Sequence, residues 1–427
     1  MRKSKVPVGQ KKYAWAAVVL ITALFAFVGV HLASPVRAST LVGDLNTDGT
    51  VNVFDLSIFL SHWQQSGNAI QEDFNNDGAV NIFDLSIFLS HYGTTLSGQN
   101  IVTIPSSIAS DCSVDVSAAI TNWIASVPDN SILSFGTDKC YRVESPIDFS
   151  GRTGLDFEGN GSSFRVFNAP TDQDAVWRVW QSSNMKFNNM TVTGSYANGG
   201  THDPSLQHAH GFDLRGTTAE ISKVNIRKVA GDCVYFGLGS DSTTRSSGSF
   251  HDSVCNSIGR NGVSVTAGDN ITVQRSSFNT IGYETFDVEP NIAAGNWGSN
   301  NVTIDSNTIG SYYLYAYSIV ENGPISNQTF TNNRAVGTGL RISIGPVSTV
   351  VSRPNMVLIH SNSSDTSQTP AAFNLDDIDN LTVTGNTVPM TNGTMAAVDS
   401  SCNVNVSANS YLGGSAEVSI TNPTSGC

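Results

Sequence analysis

NITVQRSSF (270–278), NVTIDSNTI (301–309) and NLTVTGNTV (380–388) are three copies of one template: an asparagine, a strand of alternating apolar residues, then a polar turn. Weaker copies begin near Asn184, Glu220, Asn355 and Asn403. Alternation with a period of two marks a strand with one buried face. A unit of this length cannot bury that face alone, so successive units must stack into a solenoid. The regular leucines of leucine-rich repeats and the longer four-strand blades of propellers are absent. A right-handed parallel β-helix fits, with inward Val, Ile and Phe in ladders and turn asparagines hydrogen-bonded between rungs.

The start of this region agrees. One amphipathic helix is expected from about Val116 to Ser126, followed by strands near Ile132, Tyr141 and Leu155. A helix there covers the open first rung, which would otherwise expose an unpaired edge. The chain has 427 residues, of which only 13% are charged and 38 are glycine, as suits turn-rich β structure. The expected fold class is mainly β, a right-handed parallel β-helix (pectin-lyase-like solenoid), with a small α-helical calcium-binding domain before it. The boundaries read from the sequence are a leader at 1–38, a small module at 39–95, a linker at 96–104 and the solenoid at 105–427.

Lys3, Lys5, Lys11 and Lys12 precede the apolar run AWAAVVLITALFAFVGV (14–30), and Val36-Arg37-Ala38 offers a cleavage site. This pattern predicts export, with the chain extracellular or at the cell surface, and membrane-anchored if the leader is not cleaved. Residues 1–38 hold six basic groups and no acid, so their removal takes the net charge from −13 to −19. Nucleic acid and anionic membrane are poor partners for such a chain, whereas cations and neutral polymers remain open. The six cysteines imply disulfides in an exported chain, with nearest neighbours paired: Cys112 with Cys140, Cys233 with Cys255, and Cys402 with Cys427.

DLNTDGTVNVFD (44–55) and DFNNDGAVNIFD (73–84) set oxygens at positions 1, 3, 5, 7, 9 and 12 and glycine at 6, the order of a calcium loop. The first offers Asp44, Asn46, Asp48, the Thr50 carbonyl, Asn52 and Asp55; the second offers Asp73, Asn75, Asp77, the Ala79 carbonyl, Asn81 and Asp84. Three carboxylates in one loop repel one another unless a cation lies between them. One helix follows each loop, with Leu56, Phe59, Leu60 and Trp63 expected on one face. This duplicated loop-plus-helix, with Asp at both ends, resembles a dockerin module over residues 41 to about 93. The resemblance implies two calcium ions and a cohesin-bearing scaffold as partner. It also implies that Val53-Phe54 and Ile82-Phe83 help to contact cohesin, in either of two orientations.

Residues 101–427 resemble the pectate-lyase-like β-helix superfamily, whose members act on or grip extracellular polysaccharides. Aligning HGFDLRG (210–216), GDCVYFG (231–237), NGVSVTA (261–267) and ETFDVEP (284–290) puts Asp213, Ser264 and Asp287 in one outward column, with Arg215, Thr266 and Glu289 beside it. Asp232 falls one step to the other side, and His210 and Arg260 fall at the flanking turns. Asp213, Asp232, Asp287, Glu289, Arg260 and His210 are therefore the candidate catalytic residues.

Their order is similar to a degraded polygalacturonase pattern: Ala209-His210 replaces an acid of the first segment, Gly231 replaces the first aspartate of a pair, and Arg260-Asn261-Gly262 lacks a histidine. Hydrolysis needs an acid and a base flanking the bond. A lyase would instead use His210 or Arg260 as base. The expectation is a secreted, monomeric β-helix that degrades polysaccharide by glycoside hydrolysis or lyase cleavage, the alternative being a non-catalytic polysaccharide-binding or surface protein. HDPSLQHAH (202–210) matches no zinc spacing and is expected to line the groove; Tyr312, Tyr313, Tyr315 and Tyr317 are candidates for stacking on sugars or for the core.

Overall fold

The computed structural model describes residues 42–45, 51–67, 70–75, 77–93, 100–290, 295–320, 323–345, 353–368, 371–413 and 416–422. The expected leader lies outside them, as does Cys427. Among the described residues, no helix is long and apolar enough to cross a membrane. The chain divides into two compact units, residues 1–98 and 99–427.

In the first unit, α1 (Val53–Ser61) and α2 (Ile82–His91) each begin at an asparagine cap, Asn52 or Asn81. Each cap accepts from the backbone two residues on, and Asp55 or Asp84 accepts in return from the cap's own N–H. These reciprocal capping boxes satisfy helix-end donors that would otherwise be orphaned. Phe59 and Phe88 stack with ring centroids 5.6 Å apart and close a small core with Val51 and Val80. The expected apolar face is narrower than its periodicity implied: Phe59 is buried but Leu60 is exposed, because the stripe meeting the partner helix is about one side chain wide.

The second unit is a parallel coil. Among the described residues, its strands form a twenty-stranded and an eleven-stranded sheet, and every pairing between named strands is parallel. Strand Asn100–Thr103 already pairs with Ser131–Ser134, so the coil takes in part of the stretch read as a linker. Helix α3 (Ser117–Ser126) lies near the first rung, burying Ile120 and Ile124, and Trp123 meets Phe135 edge-on at 5.3 Å.

The template copies stack in register, Ile271 on Val302 and Val273 on Ile304, with Phe330, Ile359 and Val383 continuing the second ladder. Asn270, Asn301, Asn327, Asn380 and Asn403 all take left-handed backbone, with φ between 48° and 61°. Asparagine tolerates that region better than most residues. Their amides link across rungs, Asn301 donating to Asn270 at 3.0 Å and Asn327 to Asn301 at 2.8 Å. A second, buried ladder runs Asn307, Asn333, Asn362, Asn386 and Asn409, each backbone N–H of the first four donating to the next side chain, and Glu417 accepts from Asn409 at its end. Cys112 bonds to Cys140 and Cys233 to Cys255; Cys402 is also disulfide-bonded, while the expected 402–427 pair lies outside the described residues.

The eleven-stranded sheet carries the face that matters below. Its strands are β1 (Ile147–Ser150), β2 (Trp177–Trp180), β3 (Phe212–Arg215), β4 (Val234–Gly237), β5 (Val263–Val265), β6 (Phe286–Val288), β7 (Tyr317–Val320), β8 (Ile342–Gly345), β9 (Ala371–Asp376), β10 (Thr394–Asp399) and β11 (Ala416–Thr421).

Candidate functional site

The second loop of the front unit is described almost throughout. Asp73, Asp77 and Asp84 each bring an oxygen within 4.8 Å of the others, about twice a calcium–oxygen bond. The loop bends inward at Gly78, at φ 88°, and its N–H donates to Asp73 at 2.8 Å. Asn75 and Asn81 donate to Asp77, holding its carboxyl below the usual range. The Ala79 carbonyl accepts from Asn81 at 3.0 Å, and the Asn81 oxygen is engaged in capping α2, which suits an indirect ligand at position 9. In the first loop Asp44, Asn52 and Asp55 are described, whereas Asn46, Asp48 and Thr50 lie outside the described residues.

Residues 42–92 match the family model of the dockerin type I domain.

Domains of this type bind calcium and a cohesin partner. The donor set of the dockerin fits the ion: hard oxygen ligands, three of them charged, converge on one point. Its outer surface carries Phe54 and Phe83, 67% and 66% exposed at equivalent positions of the two halves.

On the β-helix, the register of β3 to β6 sets Asp213, Tyr235, Ser264 and Asp287 in one ladder. The ladder holds two separate clusters, because Asp213 and Asp287 are three rungs apart, about 14 Å at the spacing of paired strands. Asp213 is fully engaged: Arg215 donates to it at 2.8 Å and the Trp180 indole at 3.3 Å. Arg215 also lies over the rings of Trp180 and Tyr235. Asp213 therefore ties a cation and aromatics together at one end of the sheet, too far from Asp287 to share a bond with it.

The second cluster is centred on Arg260, which reaches Asp232 at 3.0 Å, Glu289 at 3.5 Å and Asp287 at 3.9 Å. Asp232 is 0% exposed and also accepts from the Asn261 N–H at 3.0 Å, so it anchors Arg260 from beneath and meets no solvent. His210 is buried too. Its Nδ1 accepts from the Asp232 N–H at 2.9 Å, which makes the other nitrogen the protonated one of a neutral ring, and it stacks on Tyr235 at 4.9 Å. Burial pushes its basicity down, although Asp232 and Asp213 oppose this.

Asn261 donates to Asp287 at 2.9 Å and to Ser264 at 3.0 Å, and its oxygen accepts from the Glu284 N–H. Burial pushes the Asp287 carboxyl well up, reinforced by Glu284 and Glu289. Glu284, also buried, is pushed up to about 7 by burial and by Glu289, with Asp287 in hydrogen-bonding contact. Glu289 is raised by burial and Asp232, against Arg260, and its side chain is 40% exposed. It is the face that the cluster turns to solvent.

An aromatic row lies beside these acids. Tyr283, next to Glu284, packs on His202 at 5.0 Å and on Tyr313 at 6.4 Å, and Tyr313 is 70% exposed. Of the other tyrosines, Tyr317 is core, Tyr312 bonds to the Gly339 carbonyl, and Tyr315 lies under Arg341. The loop at 202–210 is divided in use: His208 pairs with Asp172 at 3.0 Å, His202 joins the aromatic row, and His210 is interior.

Sequence reasoning missed Glu284, Asn261 and Tyr283. Glu284 precedes strand β6, so an alternation rule that assigns strand faces says nothing about it. An acid three residues before Asp287, within the ETFDVEP segment already aligned, was the available signal.

No curated protein sequence matches the chain. Among solved structures it is similar to the Streptococcus pneumoniae surface adhesin PfbA, at 11% identity and TM-score 0.50, covering 75% of this chain and 93% of that one. It is also similar to the catalytic unit of a thermostable GH87 alpha-1,3-glucanase from Streptomyces thermodiastaticus, at 14% identity and TM-score 0.51, covering 77% and 69%. At such identities the likeness is one of fold, a right-handed β-helix following a dockerin.

Proposed function

We propose that the chain is a secreted carbohydrate-active protein whose dockerin, loaded with two calcium ions, docks it on a cohesin-bearing scaffold while the β-helix works on polysaccharide at the Arg260 cluster. The observation that carries the reading is one arginine gathering Asp232, Asp287 and Glu289 on an outer sheet face, with the buried Glu284 and Asp287 carboxyls behind the exposed Glu289. Glu289 would meet the glycan and donate or accept the proton. Burial and the Asp232 charge raise its carboxyl, against the pull of Arg260, which favours an acid able to hold its proton. Tyr283 and Tyr313 offer ring faces to sugar rings beside it. The glucanase relative in fold supports cleavage of O-glycosyl bonds as the reaction class.

A second reading has its own support. Asp232 and His210 are interior, and Asp213 is bound to Arg215 three rungs from Asp287, so Glu289 has no equally exposed acid facing it among the cluster's members. This favours a site that grips polysaccharide without cleaving it, and one of the proteins similar in fold is a surface adhesin. Release of reducing ends and of unsaturated products from a polysaccharide panel decides between them. Cleavage abolished in Glu289→Gln supports the enzyme; retention of a polysaccharide without product, lost in the same variant, supports the binder. Activity that Glu289→Gln leaves intact would move the site elsewhere.

A further inference from the structure

Towards the C-terminal end of the same sheet, strands β8 to β11 form an open cleft of about 380 Å³. Its lining sets Ser343, Asn374 and Ala397 in one outward column, with Asp376 and Asp399 two residues further along the same strands in the neighbouring column. None of these belongs to the Arg260 cluster. Asp399 is held in place by the Ser400 N–H at 2.8 Å and the Asn422 amide at 3.1 Å. Asp376, its register partner, keeps one carboxyl oxygen shielded from solvent and without a donor among the described residues. An acceptor in that condition is satisfied by a ligand that brings hydrogen-bond donors.

The cleft continues the outward column of the acid cluster. Register runs Asp287, Ser318, Ser343, Asn374, Ala397 and Ser419, one short side chain per rung, so no bulky residue of that column blocks the path. Rungs are about 4.8 Å apart, close to the length of one pyranose residue, and Asn374 lies three rungs from Asp287. A polymer laid along the coil axis would therefore meet the acid cluster and the cleft about three sugars apart. The two carboxylates of the neighbouring column, Asp376 and Asp399, repel an anionic chain and accept from hydroxyls.

We propose that the cleft between β8 and β11 is a second subsite for a neutral, hydroxyl-rich polysaccharide, the same chain whose other segment lies over Glu289. The inference rests on the reading of the Arg260 cluster as a glycan site.

The test is affinity electrophoresis of the full chain in gels containing hydroxyethyl cellulose, xylan, mixed-linkage glucan or pullulan, with polygalacturonate as the anionic control. Wild type should be retarded by at least one neutral polymer and not by polygalacturonate. Ala397→Arg, which fills the cleft from an outward strand position, should weaken that retardation at least fivefold, and Asn374→Ala, which only removes a lining amide, should weaken it to a smaller extent. Far-UV circular dichroism confirms that both variants keep the coil. Retardation unchanged in both variants, or retardation by polygalacturonate alone, overturns the subsite. Loss in Ala397→Arg with retention in Glu289→Gln upholds the cleft and sinks the reading of the cluster; the opposite pattern keeps the cluster and sinks the cleft.

Discussion

Arg260 illustrates how much one side chain can be asked to hold. It faces three carboxyls within 4.0 Å, and beneath it Asp232 has no water to turn to. Removing one partner of a buried pair leaves the other charge uncompensated, so Arg260→Met should cost about 3–5 kcal/mol in urea unfolding. Glu284 acts in the opposite sense. Its carboxyl titrates near 7 when folded, against an ordinary 4.5, so the folded state holds a proton that the unfolded state releases. The associated stability is fully present below about pH 4.5 and is lost as pH rises through about 7. We expect unfolding free energy to fall by on the order of 3 kcal/mol between about pH 5 and about pH 8. Glu284→Gln should flatten that slope; a slope equally steep in the variant would assign it to other groups.

Among elements, the buried asparagine ladder is the clearest case of sequence chemistry turned into rung-to-rung support. Asn362 accepts from the Asn333 N–H and amide at 2.9 and 3.1 Å and donates to the Phe330 carbonyl and to Asn386. Asn362→Val keeps the volume roughly but removes these four hydrogen bonds and leaves the buried Asn333 N–H without its acceptor, and a loss of about 2–4 kcal/mol is expected in chemical denaturation. The exposed Asn301→Gly, which keeps the left-handed backbone, breaks only solvent-facing links to Asn270 and Asn327 and should cost less than half as much. Both asparagines belong to the template NVTIDSNTI or its relatives. The repeat announced that turn asparagines bridge rungs, but not which of the two per copy is interior; that depends on whether the residue points into the coil at the turn.

In the whole molecule, two units carry separate stabilising logic. The dockerin has a small core around Phe59 and Phe88 and three convergent carboxylates in its second loop, whereas the β-helix is held by long apolar ladders, disulfides and amide stacks. Calcium chelation should therefore melt the first unit alone. With EDTA, proteolysis should cut within residues 42–93 while the β-sheet signal of the coil survives, and calcium should restore protection. Loss of the β-sheet signal on chelation would show that the coil also depends on the metal.

The repeated template and the paired loops were legible because their physics is local. Period-two alternation, asparagine at left-handed turns and oxygens spaced around a glycine are all set within a dozen residues, and a parallel coil and a calcium module follow from them. The column Asp213, Ser264, Asp287 could be aligned for the same reason, since strands one rung apart repeat the same faces. Which acids are raised by burial was not legible. Asp232 and Asp213 looked like free carboxylates, but stacking buries the first under Arg260, and the second is bound to Arg215 two residues along its own strand; Glu284 shares one short segment with Asp287 and Glu289, and what raises its affinity for a proton is first the burial that stacked rungs impose. Burial, and the pairing of Arg260 with Asp232, arise from residues tens of positions apart, and no short window of sequence contains them.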